Sequence, residues 1–104
     1  MQKKTKKNIC ILCNDKYGIY YGDVKKYNPV TRVAIVDGCR HVARWYGMTG
    51  GITSLAKHGL CGPHAADSRI GAPTDKPSVL TGVVNVFPVS ELARTTFDAS
   101  VPHV

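Results

Sequence analysis

The strongest constraint on this chain is a series of short β-branched and aromatic runs, each broken by turn-forming residues before a long helix can develop. Ile9 and Ile11 precede Asn14-Asp15-Lys16-Tyr17-Gly18, and Ile19, Tyr20 and Tyr21 follow it. Apolar runs on either side of such a cluster read as strand, turn, strand, because Asn, Asp and Gly accept tight-turn backbone. Gly22-Asp23 and Tyr27-Asn28-Pro29 interrupt the pattern, and Arg32-Val33-Ala34-Ile35-Val36 resumes it. Asp37-Gly38 then predicts a tight reversal before Cys39, since both residues tolerate the positive φ of hairpin turns.

If Cys39 to Trp45 is a strand, period-2 alternation puts Cys39, His41, Ala43 and Trp45 on one face. Arg40, Val42 and Arg44 fall on the other, so two guanidiniums share a face. Gly47-Met48-Thr49-Gly50-Gly51 is too glycine-rich for a strand interior. Ile52 to His58 suits a short helix: Ile52, Leu55 and Ala56 stand at i, i+3 and i+4, Thr49 or Thr53 can cap its start, and Gly59 suits its end. Leu60 to Leu80 carries Gly62-Pro63, Gly71-Ala72-Pro73 and Lys76-Pro77 with little periodicity and reads as a long loop able to fold over a ligand or a neighbouring subunit. Gly82 to Val89 reads as a last strand, placed at an edge by Pro88. Ser90 to Arg94 can form one helical turn, after which the chain should fray. The expected fold is mainly β within the α+β class, a small twisted antiparallel sheet or partly open barrel with one short helix. Residues 1–7 are expected as a flexible basic tail, 8–98 as one β-rich domain and 99–104 as a frayed C-terminus.

A chain of 104 residues supports one modest core and no second module. The net charge of +7 invites a nucleic-acid reading, but Lys3, Lys4, Lys6 and Lys7 supply four of those charges from a segment without apolar pattern. A run of that kind reads as a solvated tail. No stretch is long and apolar enough to span a bilayer or to form a signal-peptide core, so a cytoplasmic protein is expected. In that setting the four cysteines are reduced thiols or metal ligands rather than disulfides.

Cys10-Ile11-Leu12-Cys13 has zinc-knuckle spacing, and Cys39, His41, Cys61 and His64 offer further ligands. Ile11 and Leu12 look like strand residues, however, and in a strand positions i and i+3 point to opposite faces. Buried, unligated thiols are therefore the reading adopted, with no metal. A catalytic cysteine would need Cys39 or Cys61 activated by His41, His58 or His64, and no motif sets that geometry. The seven acidic residues stand scattered, without a carboxylate pair or a metal-binding cluster. The chain reads as a binder rather than an enzyme.

The stretch from Arg40 to Gly59 carries the binding case. A glycine turn leading into a helix presents unpaired N–H groups to an anion. Arg40 and Arg44 can add bidentate contacts to phosphate, Trp45 and Tyr46 can stack on a base, and Thr49 and Thr53 can supply hydroxyls. The same residues admit a plainer reading, with Gly50-Gly51 only a turn, Trp45 a core anchor and the arginines solvated.

Val33 to Gly47, followed by Ile52-Thr53-Ser54-Leu55-Ala56-Lys57-His58-Gly59, resembles a group of small phage and prophage domains, and most closely the phage Thoeris anti-defence family of signal-sequestering proteins. The shared pattern is an apolar strand, an arginine-bearing strand ending in Trp, a Gly/Thr turn, Leu-Ala and a Gly, with Ser68-Arg69-Ile70 as a fainter echo. It departs at Tyr46, between Trp45 and Gly47, and in Leu60 to His64. The resemblance implies a non-enzymatic homo-oligomer that holds a cyclic ADP-ribose-type signal of host defence in the host cytoplasm, without a cofactor. It agrees with the phosphate-directed reading of Arg40, Arg44 and the Gly50-Gly51 turn, and adds Arg69, closing over the ligand, to the residue-based set of Arg40, Arg44, Trp45, Thr49, Gly50, Gly51 and Thr53. Two other readings stand beside it. One is a nucleic-acid-binding module using the Lys3 to Lys7 tail with Lys25, Lys26 and Arg32; the other is a protein that binds and inhibits a host enzyme.

Overall fold

The computed structural model describes residues 7–15, 18–46 and 51–102. Strand β1 (Ile9–Asn14) and strand β2 (Gly18–Asn28) form the opening hairpin, in register from Ile9↔Asp23 to Asn14↔Gly18. Strand β3 (Val33–Arg44) follows, then helix α1 (Ile52–His58), the short strands β4 (Arg69–Ile70) and β5 (Ser78–Leu80), strand β6 (Val83–Pro88) and helix α2 (Glu91–Asp98). All pairings are antiparallel, in the order β4-β3-β2-β1-β6 with β5 also on β3. The sheet is open, and β6 takes the edge position that Pro88 permits. Among the described residues no helix is long and apolar enough to cross a membrane.

Alternation along the strands builds two apolar clusters, one on each face. Cys10, Leu12, Val24, Ala34, Val36, Cys39 and Val83 fill the first. Here the sheet curls until the β2–β3 turn reaches β6: Val83 N–H donates to Arg32 O and Tyr27 OH to Val83 O, both at 2.9 Å. Ile11, Tyr21, Val42 and Ile70 face the helices on the second, where Leu55 and Ala56 of α1 and Phe97 of α2 cover them. Phe97 stacks on Tyr21 with ring centroids 4.4 Å apart.

Several expectations are corrected. Asp37-Gly38 is not a reversal but a bulge inside one continuous β3: Tyr21 pairs with Arg40 and Asp23 with Asp37, so β3 spends one more residue than β2 across that interval. The positive φ of Gly38, 57°, serves the bulge instead of a turn. The true reversal lies at Pro29–Arg32, where the Asn28 side chain accepts from Val30 N–H at 2.9 Å and Arg32 N–H donates to Asn28 O at 2.7 Å.

The stretch from Leu60 to Leu80 is only partly a loop. It runs along the outer edge of β3 as β4 and β5, and between them Gly71 N–H donates to His41 O and Thr74 N–H to Cys39 O. Its prolines are tolerated because an outermost strand needs no N–H on its free side.

Where the sequence predicts one short helix, there are two. Ser90 caps α2 by accepting from Ala93 N–H at 3.1 Å, and burial of Ala93 and Phe97 carries the helix beyond Arg94. The chain then stays attached past residue 98, with Ala99 N–H on Thr95 O and Ser100 N–H on Phe97 O. Helix α1 has Gly51 at its N-cap with no side-chain cap, so Thr53 does not cap it; Gly59, at φ 76°, ends it as expected with its N–H on Leu55 O. The expected basic tail falls at residues 1–7, of which only Lys7 lies within the described residues.

Candidate functional site

The predicted ligand set is divided by the fold. Arg40 sits in the middle of β3 and is only 6% exposed. Its Nε donates to Gly71 O at 2.6 Å, Nη1 to Phe97 O at 2.8 Å and Nη2 to Ser100 O at 3.0 Å. One guanidinium thus ties β3 to the segment before β5 and to the C-terminal end of α2, where free helix carbonyls favour a cation. Burial pulls its pKa below the ordinary arginine value, against the pull of Tyr21 and Asp98. Three of its five N–H donors are thereby spent on main chain, away from the Arg44 side of the strand.

Arg44 and Arg69 do come together. They are register partners across β3 and β4, and both are exposed. A bulge between Val42 and Arg44 breaks the alternation, so Arg44 does not follow Arg40 into the interior. Neither arginine forms an ion pair with a carboxylate among the described residues. Trp45 beside them is half-buried and packs on the helix-side cluster, as a core anchor would. Tyr46 is exposed, with its N–H on Ser68 Oγ at 3.0 Å and its ring 5.9 Å from that of His64. The His64 Nδ1 in turn lies 3.5 Å from Asp67.

Of the remaining predicted residues, Thr53 is exposed on α1 and lines a groove of about 450 Å³ with Lys57, Phe87 and Pro88, away from the arginine pair in the lining. Gly51 takes φ 82°, and an added Cβ there would meet nothing within 4 Å. Thr49 and Gly50 lie outside the described residues.

Burial raises the pKa of Cys10, Cys13 and Cys39 above the ordinary thiol value, and Cys10 and Cys39 pack in the curled cluster as small apolar residues. No group of three or more His, Cys, Asp or Glu among the described residues is arranged to hold a metal ion.

A family model for a domain of unknown function (DUF6948) matches residues 6–97. The chain belongs to the DUF6948 family. No curated protein and no solved structure matches it. The span that defines this DUF6948 domain contains Arg40, Arg44, Trp45 and Arg69, and it ends on Phe97, the residue whose carbonyl Arg40 holds.

Sequence reasoning missed the part played by His64 and Asp67, because their i, i+3 spacing gains meaning only once Tyr46 is folded against them. It also missed a charged cleft beside Arg40, whose signals, Gly22-Asp23 and Asp37-Gly38, read as turns.

Proposed function

We propose that this DUF6948 domain is a non-enzymatic binder of a phosphate-bearing ligand of the cyclic-nucleotide class, held at the β3–β4 edge by Arg44 and Arg69. The observation that carries the reading is the exposed, in-register arginine pair without a carboxylate partner among the described residues. Like charges placed opposite one another in a sheet repel, and a phosphate that bridges both guanidiniums removes that cost while accepting their forked donors. Tyr46 and His64 add aromatic faces for a base next to the charges. Burial raises the pKa values of Cys10 and Cys39, which makes these two thiols poor nucleophiles. The resemblance to the Thoeris anti-defence family supports the narrower form, in which a cyclic ADP-ribose-type signal is sequestered intact and association of copies encloses it.

The test is a thermal-shift panel of mono-, di- and cyclic nucleotides and short oligonucleotides on the parent and on Arg44→Ala/Arg69→Ala. A cyclic nucleotide should raise the melting temperature of the parent, and the double variant should melt as the parent does but lose the shift. Ligand recovered after heating should be chemically unchanged. No shift with any nucleotide, or an equal shift in the double variant, would refute the reading. A response confined to oligonucleotides and collapsing with salt would assign nucleic acid instead.

A further inference from the structure

We propose that the cleft between the β2–β3 bulges and the C-terminal end of α2 is a second binding site, which takes a small molecule bearing one oxyanion group, a phosphate monoester or a carboxylate. The cleft measures about 540 Å³, inside the range of roughly 300–1,000 Å³ typical of small-molecule sites. Four cations, Lys7, Lys25, Arg40 and Arg94, line it. Three carboxylates, Asp23, Asp37 and Asp98, line it with them.

Each carboxylate is already engaged. Lys25 Nζ lies 2.8 Å from Asp23 and 3.8 Å from Asp37. Asp23 also accepts Asn8 N–H at 2.8 Å; burial opposes its ionisation, but the Lys25 and Asn8 hydrogen bonds prevail and hold its pKa below the ordinary carboxylate value. Asp98 accepts from Tyr21 OH at 3.0 Å and from Arg94 Nε at 3.3 Å.

Of the four cations, Lys7 and Arg40 make no ion pair among the described residues, and Arg40 is the buried one. More than nine-tenths buried, it makes no ion pair with a carboxylate among the described residues, and its charge rests on three main-chain carbonyls. A guanidinium carries five N–H donors, so two remain beyond those bonds. A buried cation held by carbonyl dipoles leaves positive potential in the space it lines, and an anion is the ligand that gains from it. The lining is open to close approach at Gly38, where an added Cβ would meet only Pro73 Cβ at 4.0 Å. Bulges of this kind recur beside binding and catalytic sites because they re-aim backbone and side chains.

The experiment is an NMR titration of the 15N-labelled full chain with inorganic phosphate, glycerol phosphate and acetate at constant ionic strength, followed at the Gly22 and Gly38 amides. Saturable shifts at these amides are expected. A response to the phosphates alone assigns phosphate chemistry, and an equal response to acetate assigns carboxylate. Two variants away from Arg40 keep the fold and test the sign of the field. Lys25→Gln, which leaves Asp23 and Asp37 without their cation, should weaken binding roughly tenfold, and Asp37→Asn should strengthen it roughly threefold. Shifts that fail to saturate, or two variants that move affinity in the same direction, would overturn the proposal. Arg44→Ala/Arg69→Ala should leave the cleft response unchanged while removing the nucleotide response, so failure at one site is distinguishable from failure at the other.

Discussion

Replacing Arg40 tests whether it is a structural clamp. Arg40→Ala removes three hydrogen bonds from a charged donor, of 2.6, 2.8 and 3.0 Å, so Gly71 O and Ser100 O lose the guanidinium and Phe97 O keeps only its bond from Ser100 N–H. Bonds of this class contribute about 1.5–3 kcal/mol each. The variant no longer bears the desolvation of a buried guanidinium, a few kcal/mol in the opposite direction, so the net loss is about 3 kcal/mol. Against a typical domain stability of about 5–15 kcal/mol this is severe but survivable. With a urea slope of about 1–3 kcal/mol per molar, the midpoint should fall by about 1–3 M. Arg40→Lys keeps the charge but cannot reach three carbonyls at once, and should recover less than half of the loss. Hydrogen exchange localises the effect: the Ala99 and Ser100 amides, protected by bonds to Thr95 O and Phe97 O, should lose protection ahead of β1 and β2. A urea midpoint within error of the parent, with unchanged exchange at Ala99 and Ser100, would refute the clamp.

Other perturbations separate backbone strain from packing and hydrogen bonding. Gly59→Ala places a Cβ against Thr96 Oγ1 and 2.7 Å from Ala93 Cα, at positive φ, so it should cost about 3 kcal/mol or more by denaturation; Gly38→Ala, with positive φ but open space, should cost only about 1–2 kcal/mol. Tyr21→Phe should cost about 1 kcal/mol at neutral pH through the lost bond to Asp98. In the parent, burial and that bond raise the Tyr21 pKa in the folded state, so its contribution is intact below the unfolded tyrosine value of about 10 and is lost as pH rises beyond it; the variant's stability should be flatter across that window in pH-dependent melts. Ser90→Ala removes the α2 cap and should cost about 1 kcal/mol, read by urea unfolding and by faster exchange at Ala93.

The strand content was legible because it is written in local chemistry. Ile9 to Asn14 and Gly18 to Asn28 meet across an Asn/Asp/Gly turn, and Gly59 ends α1 for the reason any glycine at positive φ ends a helix. What escaped depends on distant partners. Gly71-Ala72-Pro73 looks like loop until β3 lies beside it, since only His41 O and Cys39 O reveal that its neighbours are hydrogen-bonded along an edge. Arg40 and Arg44 look alike in sequence, yet one is buried against Phe97 O and Ser100 O, nearly sixty residues further along the chain, and the other faces solvent opposite Arg69. No local pattern distinguishes them, because the distinction is made by the end of α2.

The bulge at Asp37-Gly38 explains how Arg40 comes to face the helices, while the second bulge, between Val42 and Arg44, separates Arg44 from it. Before it, Ala34 and Val36 point into the curled cluster; beyond it, Cys39 does, while Val42 joins the helix-side cluster. One added residue has exchanged odd for even, because a strand's side chains alternate with a period of two. The β2 strand makes the matching exchange where its register shifts between Val24 and Lys26, so Val24 and Tyr27 both meet the curled cluster. Without the β3 bulge, Arg40 would continue the phase of Val36 and be driven into the apolar cluster of Cys10 and Leu12. With it, Arg40 turns towards the end of α2. Reading Asp37-Gly38 as a reversal therefore mistook a bulge for a turn, and the positive φ that suggested a turn is what lets one long strand serve both cores.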